Sequence, residues 1–569
     1  MPDKAVESPR VGGNILKYQP DWRSVSTPVN CTRIGKINGA VPLKVVSYNV
    51  LRDGNRGAMG CIHDYCSEEF RVWKDPHYSN STYNTTQRNL RLHRVVQRLL
   101  ELDADIICLY EAGKDFLHDF MSMQEISLIC DDIERSVRFS DLYSGYHVAD
   151  SLTEEDEMSI HRPVEMENLI LVRNELIKNG TIEILKVQSF LYKNNLAKGR
   201  CTENNKKLFS NLEETCMFMR VMVNISLPEM NCDNNFAAIN TNNDTISNIN
   251  VLKNTLKRVP LLIGSTHLFW DPHYPHVKAI QADLFANLGA QEAHDFVREN
   301  DLDNDHVNII FCGDFNTVCH FQPRYCFDEE KEVINGEIIP LLSNDNFRQL
   351  KISPGIDVVK PTGEANQIYC FFPNLQPESS SLVTTPNMYS LSQYVLSGAF
   401  QLYACGTLPS YHPEHPDSFR KTAPQLEMGN NCKKQSSGMG SMFIATGPLK
   451  HAYSSHPLAK TSSYPDFVGW VDHIWYSTYD VTKLSYESVQ NSLNKEDQEK
   501  GEKKEEPFLV NEVTSSNSSF SIAGGKGPYS FMTQTGYLKT TGENLYLFPN
   551  SHEPSDHLPV GAIFCFSTL

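Results

Sequence analysis

The sequence predicts an α/β fold, and three features carry that expectation. Leu43-Lys-Val-Val-Ser-Tyr-Asn-Val-Leu51 is apolar on both parities, as a strand covered on both faces should be. Leu92, Val95, Val96, Leu99 and Leu100 recur at i, i+3, i+4, i+7 and i+8, with Arg88, Arg91, Arg94 and Arg98 on the opposite face. That is an amphipathic helix whose arginines read as its solvated side. Asp103-Ala-Asp-Ile-Ile-Cys-Leu-Tyr-Glu111 follows at once as turn and buried strand, the helix-to-strand succession of an α/β layer.

Further short apolar strands carry polar residues at one end. Pro260-Leu-Leu-Ile-Gly-Ser-Thr-His267 and Val307-Asn-Ile-Ile-Phe-Cys-Gly-Asp314 finish on them, whereas Val560-Gly-Ala-Ile-Phe-Cys-Phe566 begins just after Asp556-His557. Residues 1–41 show no sustained period and read as a loosely ordered N-terminal extension, so 42–569 is expected to be one domain. Polar insertions are expected near 195–258, which contains an Asn-rich run, and near 485–530, which contains an almost wholly charged one.

With 69 Asp plus Glu against 51 Lys plus Arg, the formal charge of −18 argues against holding nucleic acid by bulk charge. No apolar run approaches the roughly 18 residues that cross a bilayer, and the N-terminus carries acids instead of an apolar stretch. Fifteen cysteines with no C-x-x-C pair fit a reduced compartment, so a cytoplasmic or nuclear location is expected, with no membrane.

The candidate chemistry lies at strand ends: Asn49, Glu111, Asp314, Asn316, Asp472, Asp556 and His557. Oxygen ligands with one or two carboxylates suit Mg²⁺, and Glu111 with Asp556 would supply them. Each residue also has an ordinary explanation. Asp314-Phe-Asn316 reads equally as an Asx-turn, and Pro554-Ser-Asp-His557 as a turn or helix cap. His552-Glu-Pro-Ser-Asp-His557 is not a zinc-protease motif, because its histidines are five apart and Pro554 breaks the helix that would align them. Cys405, His412, His415 and Cys432 hold zinc-ligand types in irregular spacing and read as accidental. No phosphate-binding Gly-rich loop ending in Lys-Ser/Thr is present.

Six elements in order raise the first set above its individual members. Ser47-Tyr-Asn-Val-Leu51, Ala104-Asp-Ile-Ile-Cys-Leu-Tyr-Glu111, Ser265-Thr-His-Leu-Phe-Trp-Asp-Pro272, Cys312-Gly-Asp-Phe-Asn-Thr317, Val471-Asp-His-Ile-Trp-Tyr-Ser477 and Pro554-Ser-Asp-His-Leu-Pro559 resemble the endonuclease/exonuclease/phosphatase superfamily. Val277-Lys-x-x-Gln281 and the Ser397-Gly398 to His415-Pro-Asp417 region resemble its deadenylase-type branch, which includes nocturnin, Angel and the 2′,5′-phosphodiesterases.

The resemblance implies a DNase I-like four-layer α/β sandwich, two packed mixed sheets flanked by helices, with Mg²⁺-dependent phosphoric-ester hydrolysis in a cleft at the sheet ends; Mn²⁺ would be a substitute. It implies Asn49, Glu111 and Asp556 as metal ligands, Asp314 as positioner or base for the attacking water, and Asn316 as orienter of phosphate and water. His267 would contact phosphate or a water on the metal, and His557 would donate to a phosphate oxygen while Asp472 orients it. Two positions depart from the family's usual residues: Tyr110 replaces Gln, and His473 replaces Tyr. His473 is expected to pack or reach a backbone group, and His273 and His276 to be surface or loop residues.

Phe269, Trp270 and Phe315 flank the expected phosphate contacts and are candidates for stacking a substrate base, or for packing the loop junction. The leading expectation is a 3′-5′ exoribonuclease acting on single-stranded RNA 3′ ends, deadenylase-like. The rivals are hydrolysis of a small phosphorylated nucleotide, a 2′,5′-linked oligonucleotide or a terminal cyclic phosphate, and an inactive RNA- or protein-binding module.

Overall fold

The computed structural model describes residues 22–24, 40–51, 95–112, 126–130, 133–152, 168–195, 214–226, 256–270, 274–300, 302, 305–319, 333–334, 337–338, 396–408, 412, 414–416, 442–453, 461–464, 467–481, 530–538 and 555–568. Two mixed sheets dominate them. The first has seven strands in the order β1 (Trp22–Ser24), β12 (Ser530–Leu538), β13 (Val560–Thr568), β2 (Val41–Asn49), β3 (Ile106–Tyr110), β5 (Leu169–Arg173) and β4 (Tyr143–His147). The second has six, in the order β10 (Lys450–His451), β11 (Asp472–Asp480), β9 (His306–Asp314), β8 (Leu256–His267), β7 (Thr215–Ser226) and β6 (Ile182–Leu191). Only the β2–β3 and β8–β9 ladders within them are parallel.

Alternation along β2 and β3 sorts the layers. Leu43, Val45, Ile106, Cys108 and Tyr110 join the core shared with the second sheet. Val46, Tyr48, Ile107 and Leu109 face the other way, against Val95, Val96 and Leu99 of helix α1 (95–101). On the far side of the second sheet, Phe285 of helix α2 (Pro275–Glu299) meets Phe311 of β9 at a ring separation of 4.9 Å. Helix, sheet, sheet, helix is the four-layer order that the resemblance implied.

The second sheet approaches α2 through glycine. A Cβ on Gly264 of β8 would lie 2.8 Å from both the Phe285 and Phe311 rings, so the close contact of sheet and helix depends on a missing side chain.

Four expectations meet a different outcome. Trp22–Ser24, inside the stretch read as an extension, forms edge strand β1, and the Trp22 indole donates to Leu102 O at 3.2 Å. Val41, not Pro42, opens β2. β7 lies within the region read as a polar insertion, yet Cys216, Met217, Phe218, Met219, Val221 and Val223 are buried core; its apolar run stands close to an Asn-rich stretch, which masks it in a composition average. That Asn-rich run and the 485–529 stretch lie outside the described residues. Arg98 is also buried, near Glu101 at 4.0 Å, instead of lying on a solvated face.

Gly264→Ala is expected to lower stability by about 1–3 kcal/mol, since three packed rings must move to admit a methyl group. Thermal unfolding checks it, and an unchanged Tm would show that the rings give way freely.

Candidate active site

Register builds the site. Across the second sheet His267 pairs with Asp314 and Asp314 with Asp472, so three polar residues stand in one row on neighbouring strands. In the first sheet Asn49 pairs with Tyr110, which puts Glu111 one residue beyond it. Asn49 shares its strand parity with Leu43 and Val45, the face turned toward the second sheet. It therefore meets the row from the other side: its amide nitrogen donates to Asp314 Oδ2 at 2.9 Å and to Glu111 Oε1 at 3.0 Å. The turn before β13 closes the ring, with the Ser555 hydroxyl donating to Asn49 O at 2.6 Å.

His557 sits among the carboxylates. Its Nδ1 donates to Asp472 Oδ2 at 2.8 Å, while Nε2 lies 3.7 Å from Asp314 Oδ2 and 3.9 Å from Asp556 Oδ1. His267 Nε2 is 3.6 Å from Asp314 Oδ2 on the opposite flank. Burial alone would lower the His557 pKa, but Asp472, Asp314 and Asp556 together hold it well above the ordinary imidazole value. It stands as an imidazolium with Nε2–H turned toward the site. Burial likewise pushes Asp472 up to about 6, against the pull of His557. For Asp314 the balance reverses. Burial would raise it, but His557, His267 and the hydrogen bonds from Asn49 and from Asn316 N–H keep its carboxyl below the usual range. Asp314 is therefore the carboxylate kept ionised, and Asp472 the one bound to the imidazole.

The loops that carry these groups are strained. Leu51, Glu111 and Asn316, each one or two residues past a strand end of the site, have φ of 55°, 56° and 47°. Left-handed backbone at residues other than glycine costs on the order of 1–3 kcal/mol each and persists where surrounding contacts hold it. The holding contacts are visible. Leu51 N donates to Asn49 Oδ1 at 2.9 Å, Asn316 N to Asp314 Oδ1 at 2.9 Å, and Lys278 Nζ to Asn316 O at 2.6 Å. The Asx-turn reading of Asp314-Phe-Asn316 and its placement in the site are thus both true. The Asn316 amide itself donates to Leu268 O at 3.0 Å.

The donor set fits a divalent cation. Burial raises the Asp556 pKa, and the nearby Glu111 and Asp314 charges raise it further against the pull of His557. Three carboxylates, Asp314, Asp472 and Asp556, thus crowd around one imidazolium, and Glu111 stands near Asp556, an excess of hard oxygen ligands that suits Mg²⁺ or Mn²⁺. Ligand-type atoms of Asp314, Asp472 and His557 also lie within 4.8 Å of one another. A protonated His557 is a donor and not a ligand, however, so Glu111 and Asp556 are the better pair. Asn49 as it stands ties Glu111 to Asp314 through its amide nitrogen.

Of the aromatic candidates, Trp270 is 68% exposed, and Phe269 is half-buried with its ring against Tyr274 at 5.5 Å. Phe315 corrects the stacking expectation. It is 1% exposed, and its ring packs edge-on against Tyr403 at 5.3 Å and His473 at 5.5 Å, because the turn after Asp314 points it away from the cleft. His276 is buried on α2, not on a loop, and burial lowers its pKa to about 3. Tyr110, the residue replacing Gln, is buried with its hydroxyl 3.0 Å from Ser47 Oγ. His412 is committed to Leu396 O and Glu414 N, which agrees with an accidental zinc pattern; Cys432 lies outside the described residues.

The residues that sequence reasoning left without a role are supports. Lys278 and Gln281 sit three apart on one face of α2. Lys278 holds Asn316, while Gln281 accepts from Phe269 N at 2.8 Å and donates to Glu214 at 3.2 Å. Their spacing was the available signal. Glu414 is buried behind them and accepts from Gly398 N at 2.5 Å.

No protein-family model matches the chain, and no curated protein matches it either. Among solved structures it is similar to ANGEL2, a 2′,3′-cyclic phosphatase, in complex with adenosine-2′,3′-vanadate, at 14% identity over 96% of this chain and 99% of that one, with a TM-score of 0.40. It is similar to the human Nocturnin catalytic domain with bound sulfate, at 11% identity over 93% and 97%, TM-score 0.31. An endonuclease/exonuclease/phosphatase family protein from Bacteroides thetaiotaomicron is also similar, at 14% identity over 49% and 65%, TM-score 0.24. Among the described residues no helix is long and apolar enough to cross a membrane, and Cys108, Cys216, Cys312, Cys319, Cys405 and Cys565 are free thiols.

Burial moves Glu414 from the ordinary 4.5 up to about 7, against the Gly398 hydrogen bond and the Lys278 charge. A carboxyl raised in this way binds its proton more tightly folded than unfolded, so its share of stability is complete below about pH 4.5 and is lost as pH rises toward 7. Glu414→Gln is expected to remove that loss, matching the native chain near pH 4.5 and exceeding its Tm at pH 8. Equal Tm differences at both pH values would refute the assignment.

Proposed function

We propose that this chain is a divalent-metal-dependent phosphoric-ester hydrolase, and within that class a phosphodiesterase acting as a 3′-5′ exoribonuclease on single-stranded RNA. The observation that carries the hydrolase reading is the convergence on one point of an ionised carboxylate, Asp314, and an imidazolium, His557, braced by Asp472. Water adds to phosphorus as Asp314 takes its proton, and the ester oxygen departs. His557 donates Nε2–H to a non-bridging oxygen, with its ring fixed through Nδ1 by Asp472. His267, on the other flank of Asp314, offers a second contact to phosphate. Asn49, Glu111 and Asp556 would hold the cation. When bound, it neutralises charge on the phosphoryl oxygens.

The RNA assignment rests on Trp270. It is the large apolar side chain most exposed among the described residues, four positions along the chain from Thr266 and three from His267, where an aromatic face can stack a base. The chain's net charge of −18 favours a short end held in the site over a long duplex wrapped by the surface. Phe269, braced by Tyr274 and by Gln281 through its backbone, supports the Trp270 loop.

The decisive assay uses a 5′-labelled single-stranded RNA ending in an adenosine tract, with and without Mg²⁺, beside Asp314→Asn and His557→Ala. Stepwise shortening from the 3′ end is expected, abolished by chelation and lowered about 10²–10⁴-fold in either variant at nearly unchanged Tm. Hydrolysis of a terminal cyclic phosphate or a small nucleotide with RNA left intact would keep the hydrolase and discard the exoribonuclease; hydrolysis of none would leave a binding module.

Trp270→Ala is expected to weaken RNA binding by about 1–3 kcal/mol, seen as a raised KM with kcat held. An unchanged KM would show that no base stacks there.

A further inference from the structure

Beneath the site, on the face of β11 opposite Asp472, two buried imidazoles meet. His451 Nε2 lies 3.1 Å from His473 Nδ1, and His473 Nε2 lies 2.9 Å from Thr317 O, the carbonyl next to Asn316. At the other end His451 Nδ1 lies 3.2 Å from Tyr453 N. The two ends fix every proton between them. A backbone N–H can only donate, so His451 Nδ1 is the acceptor and its proton sits on Nε2, which donates to His473 Nδ1. His473 therefore carries its proton on Nε2, where a carbonyl can only accept it. Both rings are neutral in this arrangement, since an extra proton on either would set donor against donor. Burial agrees, holding His473 down to about 4 and His451 well below the ordinary value.

The chain of bonds is anchored in the opposite sheet. Tyr453 Oη accepts from Gly561 N at 2.7 Å and reaches Leu538 O at 3.0 Å, on β13 and β12. Phe400, Trp470 and Trp475 wall the two imidazoles at ring separations of 4.6–6.3 Å. A rigid path thus runs from the first sheet to the turn that carries Asp314 and the left-handed Asn316.

We propose that His451 and His473 act as positioning residues, a two-imidazole strut that holds the Asp314–Thr317 turn in its strained, site-forming geometry. His473 fills this role because it offers an acceptor on one side and a donor on the other, which continues the chain of bonds. The kinetic consequence rests on the hydrolase reading above; the structural one does not.

Three readouts test it on the full-length protein. Nitrogen-15 spectra of histidine-labelled protein are expected to find both rings neutral and protonated on Nε2; His473 protonated on Nδ1 would overturn the strut. Amide exchange without substrate is expected to rise in the peptide spanning 313–319 in His451→Phe and His473→Phe, and unchanged exchange there would refute it. In hydrolysis, His473→Phe is expected to lose about 10- to 100-fold in kcat with KM held. His473→Gln, which keeps one acceptor and one donor, restores most of that loss, and the double Phe variant is no worse than His473→Phe, because the two rings act in series. Equal loss in the Gln and Phe variants, or additive losses, would reduce the pair to ordinary packing. A chain that hydrolyses nothing would sink the proposed function, while the spectra and exchange still decide the strut.

Discussion

Pairing register across β8, β9 and β11 is the constraint from which the site follows. His267, Asp314 and Asp472 share one row, so all three face the first sheet at the end where the sandwich opens. Because side chains alternate, slipping one strand by a single residue would turn Asp314 toward α2 and bring Gly313 or Phe315 to the cleft. The large cores on both faces prevent that slip: Phe311 is committed to Phe285 on one side, and Cys312 to the inter-sheet core on the other. The chemistry of the site is therefore held by apolar packing some distance from it.

Electrostatics then divides labour among similar groups. Asp314, Asp472 and Asp556 are all carboxylates close to one imidazole, yet their proton affinities diverge. Asp314 receives two hydrogen bonds and two histidine neighbours and remains charged. Asp472 is as deeply buried but is held mainly by His557, and burial leaves its carboxyl raised. Asp556 is crowded by Glu111 and Asp314. A pair of titratable groups pushed apart in this way is the arrangement that lets one accept a proton while another keeps an imidazolium in place. Strain adds to the picture. Leu51, Glu111 and Asn316 hold left-handed backbone only because Asn49, Asp314 and Lys278 bond to the turns around them.

Much of this was legible before any coordinates. Strands around Val45, Ile107, Ile263, Ile310 and Phe564, and the helix through Val95 and Leu99, follow from local periodicity, which depends on the residues themselves. The strand-end positions of Asn49, Glu111, Asp314, Asp472 and His557 follow from the same patterns, and the order of six motifs made their shared site readable. Less was readable where a side chain's partner is distant in sequence. Phe315 between two polar neighbours reads as a stacking or a packing residue, and only the fold, which gives its ring to Tyr403 and His473, decides for packing. Arg98 looks solvated by helical phase, yet it is buried. β7 was hidden because its apolar run stands beside an Asn-rich one, and a window average blends the two.

By itself the sequence determined the α/β class and the strand-end clustering of carboxylates, amides and imidazoles, since periodicity is a local property. Tertiary structure alone decided which polar residues meet: that Asn49 bridges to Asp314, 265 positions away in the chain, that Asp472 accepts the hydrogen bond from His557 Nδ1, and that His473, the neighbour of Asp472, faces away to join His451. The reason is geometric. Alternation assigns a residue to a face of its own strand, but only the register and stacking of two whole sheets determine what that face will meet.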